Sequence, residues 1–481
     1  MTILNELTLA SGEITLLALL CLVLVIDLFV SQEKRIITYW LTMATLAATA
    51  FMVAFNSPES GSLIFSGSYV SDELSVLLKL VSIVSTAVVI LYSRDYLIDN
   101  DLFKGEFFIL ILFGLLGIMI MISANSMLVM YLGLETLALS LYALVALDRN
   151  SSIAAESAMK YFILGAIASG SLLYGISWVY GVTGSLEFNE IANAIQANPE
   201  INALPLWFGM AFVIVGIAFK FGAVPFHMWL PDVYEGARTP VTLFIASAPK
   251  VAAFALIFRI LFEGLGGLHA EWQGIILIVS VLSIVFGNVV AIAQTNIKRM
   301  LAYSAIGHVG FIFAGISTGT LDGYSSALFY TITYVLMATG SLGFVILLSR
   351  KGFESDQIDD FKGLSKRNPW FAMIMMFILL SMAGIPPWVG FFAKLDVISA
   401  VIDAGFTGLP VLMVLASVVG AYYYLRIIWF MYFEDGDQKE AITSSQEVKI
   451  VMSINGLLVL LIGLFPNWLM AFCQKVIALT T

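Results

Sequence analysis

Residues 206–230 read LWFGMAFVIVGIAFKFGAVPFHMWL, and this stretch decides the architecture. About 20 apolar residues suffice to cross a bilayer as a helix, so the stretch is long enough to span. Yet it holds a lysine and a proline near mid-membrane, in Phe219-Lys220-Phe221-Gly222-Ala223-Val224-Pro225. Proline lacks a backbone donor and clashes with the preceding turn, so this helix is expected to be interrupted. A charge at the bilayer centre costs roughly 2.5–3.5 kcal/mol on insertion scales. Glu135, Lys250 and Lys394 stand in the middle of apolar stretches in the same way. Four such charges penalise the fold by about 10 kcal/mol, an expense no passive anchor requires, and intramembrane ionisable groups point to an ion path or proton relay.

The rest of the chain agrees with a membrane reading. It has 481 residues, of which 60% are hydrophobic and 12% charged, and a mean hydropathy of +0.97. A soluble globular protein carries about twice that charged fraction. The net charge of −10 matters less than where the charges lie. The apolar segment Ile14–Val30 has no basic region before it and no small-residue cleavage site after it, so it reads as a first transmembrane helix and not a signal peptide. Cys21 and Cys473 lie in apolar segments at opposite ends of the chain, and there are three histidines in all. Without a CxxC or a Cys/His cluster, iron–sulfur ligation and a structural zinc site are excluded. No GxGxxG or GxxxxGK[ST] pattern offers a nucleotide site.

Scanning for apolar windows gives fourteen spans: 14–31, 36–55, 72–92, 106–123, 125–147, 153–180, 206–230, 241–263, 273–293, 299–319, 322–349, 370–398, 407–433 and 449–474. The connections are short apart from 181–205 and the polar stretches 350–369 and 434–448, so 1–481 reads as one all-helical transmembrane domain. Basic residues then set the orientation. The odd-numbered gaps hold Lys34 and Arg35; Arg94 and Lys104; Arg149; Arg238; Lys298 and Arg299; Arg350, Lys351, Lys362, Lys366 and Arg367; and Lys439 and Lys449. The even-numbered gaps and both ends carry almost none, which puts the odd gaps in the cytoplasm and both termini outside.

A second proline break falls in the twelfth span, at Ala383-Gly384-Ile385-Pro386-Pro387. It lies five spans after the first, and an odd offset reverses direction. Spans 4–8 (106–263) and 9–13 (273–433) are therefore expected to be two inverted five-helix repeats, with broken helices 7 and 12. Discontinuous helices at matching positions of inverted halves mark ion pathways.

Lys220 lies about one turn before Pro225, and Lys394 about two turns after Pro386. Each is expected beside backbone carbonyls freed by the break, where desolvation and a carboxylate neighbour tune an ammonium for proton exchange. The competing reading is a buried structural ion pair or a snorkelling side chain. Glu135, halfway along the fifth span, is the expected counter-ion of a lysine. Lys250, beside Pro249 in the eighth span, reads as the next station. Lys160, two turns from the cytoplasmic end of the sixth span, tunes the inlet or pairs with Glu156 at i,i+4. His308, in the tenth span, can pass protons through both ring nitrogens, with Ser304 one turn before it as a partner in a polar file; a hydrogen-bonded core histidine is the plainer alternative. His227, Asp232 and Arg238 are expected to cluster as a gate or loop anchor. His269 reads as inert in an outer loop, Arg426 as an interfacial anchor, and Lys79 and Arg259 as anchors or outlet tuners.

These motifs carry a resemblance. The run Phe219-Lys220 through Val224-Pro225-Phe226-His227-Met228-Trp229-Leu230-Pro231-Asp232-Val233-Tyr234 resembles the proton-antiporter-like membrane subunits of respiratory complex I. So do Gln294-Thr295-Asn296-Ile297-Lys298-Arg299 through His308, and Ala383-Gly384-Ile385-Pro386 through Gly390-Phe391 and Lys394. The Thr-Asn-Ile-Lys-Arg run, Tyr422-Tyr423-Tyr424-Leu425-Arg426 and lysine at Lys394 are most similar to the N branch, counterpart of mitochondrial NADH dehydrogenase subunit 2. The lack of a long lateral helix at the C-terminal end favours the same branch. The resemblance implies a half-channel at broken helix 7, with Glu135 as the helix 5 carboxylate, Lys220 and Lys250 as central lysines and Lys394 as the exit lysine. It implies a bacterial inner-membrane subunit of a proton-translocating NADH:quinone oxidoreductase, with no redox centre on this chain. Flavin, iron–sulfur clusters and quinone then belong to other subunits. The implied partners are membrane-arm neighbours, both antiporter-like and small, and the lipid bilayer, with no nucleic acid. The alternative within the same chemistry is a subunit of a multisubunit sodium/proton antiporter or membrane-bound hydrogenase. An independent transporter of an organic solute and a purely structural spacer are the readings from other classes.

Overall fold

The computed structural model describes residues 3–57, 61–197, 203–436 and 444–480; Lys439 lies outside them. Among the described residues, twelve helices are long and apolar enough to cross a membrane, or thirteen if the pair Ile3–Leu9 and Ser11–Asp27, bent by 73°, is taken as one span. Every window expected from the sequence holds helix. The remaining window, 370–398, falls short of the criterion because it is broken into Pro369–Ala383 and Val389–Asp403, 15 residues each.

The seventh window breaks likewise. Its helix runs Ala203–Phe221 and resumes as the short Trp229–Gly236. Gly222 turns the chain at φ +70°, a left-handed conformation that glycine adopts without strain. The eighth span, less expectedly, also has a local break at Ser247, between Thr239–Ala246 and Ala248–Phe258. It closes in a π-helical turn, Arg259–Gly264.

Burial sorts the spans into a centre and a rim. The windows of Thr239–Gly264 and Ile297–Ser317 are each 94% enclosed by protein, whereas those of Gly408–Phe433 and Gln446–Leu464 are 33% enclosed. In lipid, helices associate through close packing and not through a hydrophobic drive, so small residues sit where backbones approach. A Cβ on Gly117 would lie 2.6 Å from the Gly133 carbonyl oxygen, pairing spans 4 and 5, and one on Gly287 would lie 2.6 Å from the Gly307 nitrogen, pairing spans 9 and 10.

Two features outside the spans were not foreseen. A hairpin pairs Ser62–Ile64 antiparallel with Tyr69–Ser71, in the register Ser62↔Ser71, Leu63↔Val70 and Ile64↔Tyr69. Its three-residue strands are too short to show an alternation. The stretch expected as a loop at 181–205 contains an amphipathic helix, Phe188–Ala197, that buries Phe188, Ile191 and Ile195.

Candidate functional site

Within a membrane, interrupted backbone persists only where its freed polar groups find partners, and two of the lysines the sequence singles out, Lys250 and Lys394, are among them. At the first break, Lys250 Nζ donates to the Phe221 carbonyl at 2.7 Å, Trp229 Nε1 donates to Phe219 O at 2.9 Å, and Val224 N donates to Ser283 Oγ at 2.9 Å. At the second, Lys394 Nζ donates to Ala383 O at 2.9 Å, and Gly390 N donates to Ser381 Oγ at 2.9 Å. Phe221 and Ala383 are the last residues of their half-helices. Each break thus ends in a carbonyl held by an ammonium. That is favourable at the negative end of a helix.

Lys220 does not take such a carbonyl. Among the described residues its ammonium has no ion-pair partner within 4 Å, and it lies 5.9 Å from the Phe219 ring centre. It lines a cavity of about 30 Å³ together with Lys250, Tyr161, Trp229 and apolar residues of the fifth span. That space admits one or two waters, and two amines from different helices line it.

Glu135 departs from expectation. It is half-buried on helix Met127–Val145, beside the cavity-lining Leu134 and one turn before Ala138, which also lines the cavity. Among the described residues it forms no ion pair within 4 Å, and its Oε1 is buried without a hydrogen-bond partner. It and Lys220 are not in direct contact, yet Glu135 is the carboxylate whose charge acts on Lys220 across the site. Burying an unpaired carboxylate oxygen is costly.

His308 sits in a file of hydroxyls drawn from three spans. Its Nδ1 is 2.7 Å from Tyr330 Oη and its Nε2 is 3.1 Å from Tyr424 Oη; Ser304 Oγ hydrogen-bonds the same Tyr424 hydroxyl. Ser304 therefore shares the file, as its one-turn spacing suggested, through Tyr424. Tyr330 stacks on Phe311, whose ring carries Lys394 Nζ 5.5 Å from its centre. Tyr423, on the helix of Tyr424, donates to Asn288 Oδ1 at 3.0 Å. On the other side Phe221 meets Phe313 of the His308 helix, ring centres 4.9 Å apart, an apolar contact between the lysine cavity and this file. Nothing in the sequence links Tyr330 to His308, since 22 residues and a turn separate them.

The basic-loop end holds two charge networks. Lys160 pairs with Glu156 at i,i+4 as expected, and also with Asp232, both at 2.9 Å. Asp232 and Glu235 each pair with Arg299 at 2.8 Å. Burial pushes the Asp232 carboxyl up, but hydrogen bonds from Lys160 and Arg299 outweigh it and hold it below the ordinary range. The second network joins Arg238 to Asp148 at 2.6 Å and to Glu354 at 3.1 Å, with Lys298 on Glu354 at 3.2 Å and Thr239 Oγ1 hydrogen-bonded to the same carboxylate. The expected His227–Asp232–Arg238 cluster does not form. Asp232 and Arg238 serve different networks, and His227 stands apart, its ring 4.7 Å from Phe286 and its Nδ1 buried without a partner. Arg238 follows the end of helix Trp229–Gly236, and that bend turns it away from Asp232.

Three residues set aside as anchors are more deeply engaged. Lys79 is 3% exposed and pairs with Glu13 at 2.7 Å and with the Tyr69 hydroxyl at 2.8 Å. Arg259 is 1% exposed, between Asp72 at 2.8 Å and Glu263 at 2.5 Å. Arg426 donates to the terminal carbonyls of the ninth span, Ile292 and Gln294. His269 opens helix His269–Ile292, its Nε2 3.3 Å from Ser317 O. Among the described residues, no group of three or more His, Cys, Asp or Glu side chains could hold a metal ion.

Comparison with known proteins identifies the family. The family model described as NADH:quinone oxidoreductase/Mrp antiporter, TM, matches residues 124–420, which contain both breaks. The chain is 54% identical over 467 residues to NADH-quinone oxidoreductase subunit N of Thioalkalivibrio sulfidiphilus, covering 97% of each. Among solved structures it is similar to a chain of respiratory complex I from Thermus thermophilus, with a TM-score of 0.82 and 27% identity over 96% of this chain and 98% of that one. It is also similar to a chain of the membrane-bound sulfane sulfur reductase, an archaeal respiratory membrane complex, with a TM-score of 0.86 and 26% identity over 99% and 98%.

Proposed function

The chain belongs to the NADH:quinone oxidoreductase/Mrp antiporter membrane family, and from that premise we propose that it is the N-type membrane-arm subunit of a bacterial NADH:quinone oxidoreductase, moving protons through a Glu/Lys/His relay. The observation that carries the reading is the pairing of each helix break with a lysine, buried Lys250 on Phe221 O and half-buried Lys394 on Ala383 O. A proton bound at Lys220 Nζ passes through the shared cavity to Lys250 Nζ. From there it crosses the Phe221–Phe313 contact when that contact is hydrated, reaches the His308 file, and leaves from Lys394. Glu135, unpaired in this conformation, is the input. A charge change in a neighbouring subunit alters its protonation and, through the field at Lys220, the proton affinity of that amine. Lys160 and Asp232 hold the inlet end, and His227, against Phe286, borders the same break.

In this reading the electrons travel in other subunits, where flavin, iron–sulfur clusters and quinone reside. The partners are the antiporter-like and small subunits of the membrane arm. The chain lies in the inner membrane with both termini outside, as the basic loops require. Spans 4–8 (106–263) and 9–13 (273–433) are two inverted repeats. The two breaks and the matching glycine contacts of spans 4/5 and 9/10 support that division.

The test is NADH-driven quinone reduction and proton uptake in membranes of a Lys220→Ala strain, with assembly checked on native gels. An assembled complex with both activities sharply reduced supports the relay. Untouched reduction and pumping overturn the role of Lys220, and sodium-dependent flux would then favour the antiporter relative.

A further inference from the structure

Passage from the lysine cavity to the His308 file between Phe221 and Phe313 needs incoming water, because neither ring offers a polar group. A second connection between the same two places is lined by hydroxyls. It starts at Tyr161 of the sixth span, which is 4% exposed and lines the cavity beside Lys220 and Lys250. The Tyr161 ring stacks on Trp229 with centres 4.4 Å apart. One turn earlier on the same span, Ser157 Oγ donates to Asp232 O at 3.0 Å. These contacts hold the short helix Trp229–Gly236 against the sixth span, and Arg299 ties it to the tenth through Asp232 and Glu235. Tyr234, on that helix, is therefore buried between spans, 1% exposed. Its hydroxyl faces that of Tyr334 on the eleventh span, and Tyr161 is also within electrostatic reach of it. The Tyr334 ring lies 5.2 Å, centre to centre, from the His308 imidazole. One turn before it stands Tyr330, whose hydroxyl is 2.7 Å from His308 Nδ1.

Two hydroxyls on this line are orphans. Tyr234 Oη and Tyr142 Oη are both buried, and neither forms a hydrogen bond among the described residues. Buried polar groups are nearly always hydrogen-bonded, so each exception calls for a reason. Phenylalanine would fill either place without leaving a hydroxyl stranded. Tyr142 meets Tyr161 edge-on with centres 4.7 Å apart, and its hydroxyl fits only because residue 165 is glycine, where a Cβ would overlap it. Glu135 acts electrostatically on the same Tyr142 hydroxyl. The tyrosines thus run from the neighbourhood of Glu135, past the cavity, to His308. A phenolic oxygen passes a proton without net change. It bonds the arriving proton, releases its own to the next oxygen, and is restored when the hydroxyl turns about its C–O bond. A proton leaving Lys250 Nζ through cavity water can therefore be delivered to the His308 file with every hydroxyl regenerated. Turning a hydroxyl that is already in place is easier than wetting a contact between two phenyl rings. We infer that Tyr234 and Tyr334 form a second crossing from the lysine cavity to the His308 file, and that this crossing carries the larger share of the proton flux.

The inference deepens the relay reading and rests on it, so its test includes Lys220→Ala. NADH-driven proton uptake is measured in inverted vesicles, normalised to assembled complex, for Tyr234→Phe, Tyr334→Phe, the double variant and Lys220→Ala. The unfolding temperature of each assembled complex is recorded beside it. Each phenylalanine keeps the ring and removes only the hydroxyl. The expected uptake in either single variant is less than half that of the unaltered complex. The double variant should fall no further, because two members of one series fail together and their effects do not add. The unfolding temperature of Tyr234→Phe should be unchanged or raised, since the hydroxyl removed has no partner. Normal uptake in Tyr234→Phe, with Lys220→Ala inactive, overturns the crossing and leaves the relay standing. Normal uptake in both overturns the relay and the crossing with it. Losses that multiply in the double variant, or that come with a lowered unfolding temperature, assign the tyrosines to packing and overturn the crossing.

Discussion

Replacing Lys250 separates a proton carrier from a helix cap. Lys250 is 2% exposed, and its ammonium satisfies the Phe221 carbonyl at 2.7 Å. Lys250→Met leaves that carbonyl without a partner, a cost of about 1–3 kcal/mol. It also removes a buried charge, whose desolvation penalty in proteins is several kcal/mol. The two effects oppose, so the variant should fold and assemble with a stability within about 2 kcal/mol of the parent. Lys250→Arg is the second arm. A guanidinium keeps the charge and the bond to Phe221 O, and the adjoining cavity of about 30 Å³ gives it room. Arginine does not release its proton in proteins. A carrier role therefore predicts that Met and Arg variants both assemble and both lose proton uptake. A capping role predicts that Arg restores what Met loses. The assay is NADH-driven proton uptake and quinone reduction in inverted vesicles, normalised to assembled complex on native gels. Full pumping in Lys250→Arg, with loss in Lys250→Met, would refute the carrier role and leave Lys250 as a cap.

Two further outcomes follow from the charge networks. Lys79→Met strands Glu13 without its cation, which at a buried pair costs about 3–5 kcal/mol; thermal unfolding should show a large drop that the double variant Glu13→Gln/Lys79→Met largely recovers, and equal losses in the two would disprove the pair's contribution. Burial pushes the Glu354 carboxyl up, but Lys298, Thr239 and Arg238 outweigh it and hold it below the ordinary glutamate value. A carboxyl lowered in the folded state stabilises fully above its unfolded pKa and loses that contribution as pH falls through the folded value. Glu354→Gln should therefore cost about 1.5–3 kcal/mol at neutral pH, a gap that closes as unfolding is followed below about pH 4.3; a gap that persists unchanged into acid would refute the electrostatic origin.

The family's similarity to solved structures makes the fold unsurprising, but its legibility has a physical basis. Hydrophobic length and charge are summed along the chain, so spans, and the breaks at Pro225 and Pro386–Pro387, are local properties that sequence reports directly. Boundaries drifted where ends depend on neighbours, as for His269, which opens a helix expected to start later. Contacts between helices are a different matter, because no spacing records how two helices are rotated against each other.

What the sequence by itself determined is therefore the membrane class, the positions of the charged residues along their spans, and the two interruptions, since each follows from composition within about 20 residues. Tertiary structure alone decided which groups meet. It placed Lys250, from another helix, on the carbonyl of Phe221, and Lys394 on that of its own broken helix. It threaded His308 between Tyr330 and Tyr424, held Glu135 out of direct contact with Lys220, and sent Asp232 and Arg238 into separate networks. Side chains on different helices come together through packing and rotation of whole elements. A helix turned by one residue, about 100°, presents a different set, so these pairings exist only once the bundle is assembled.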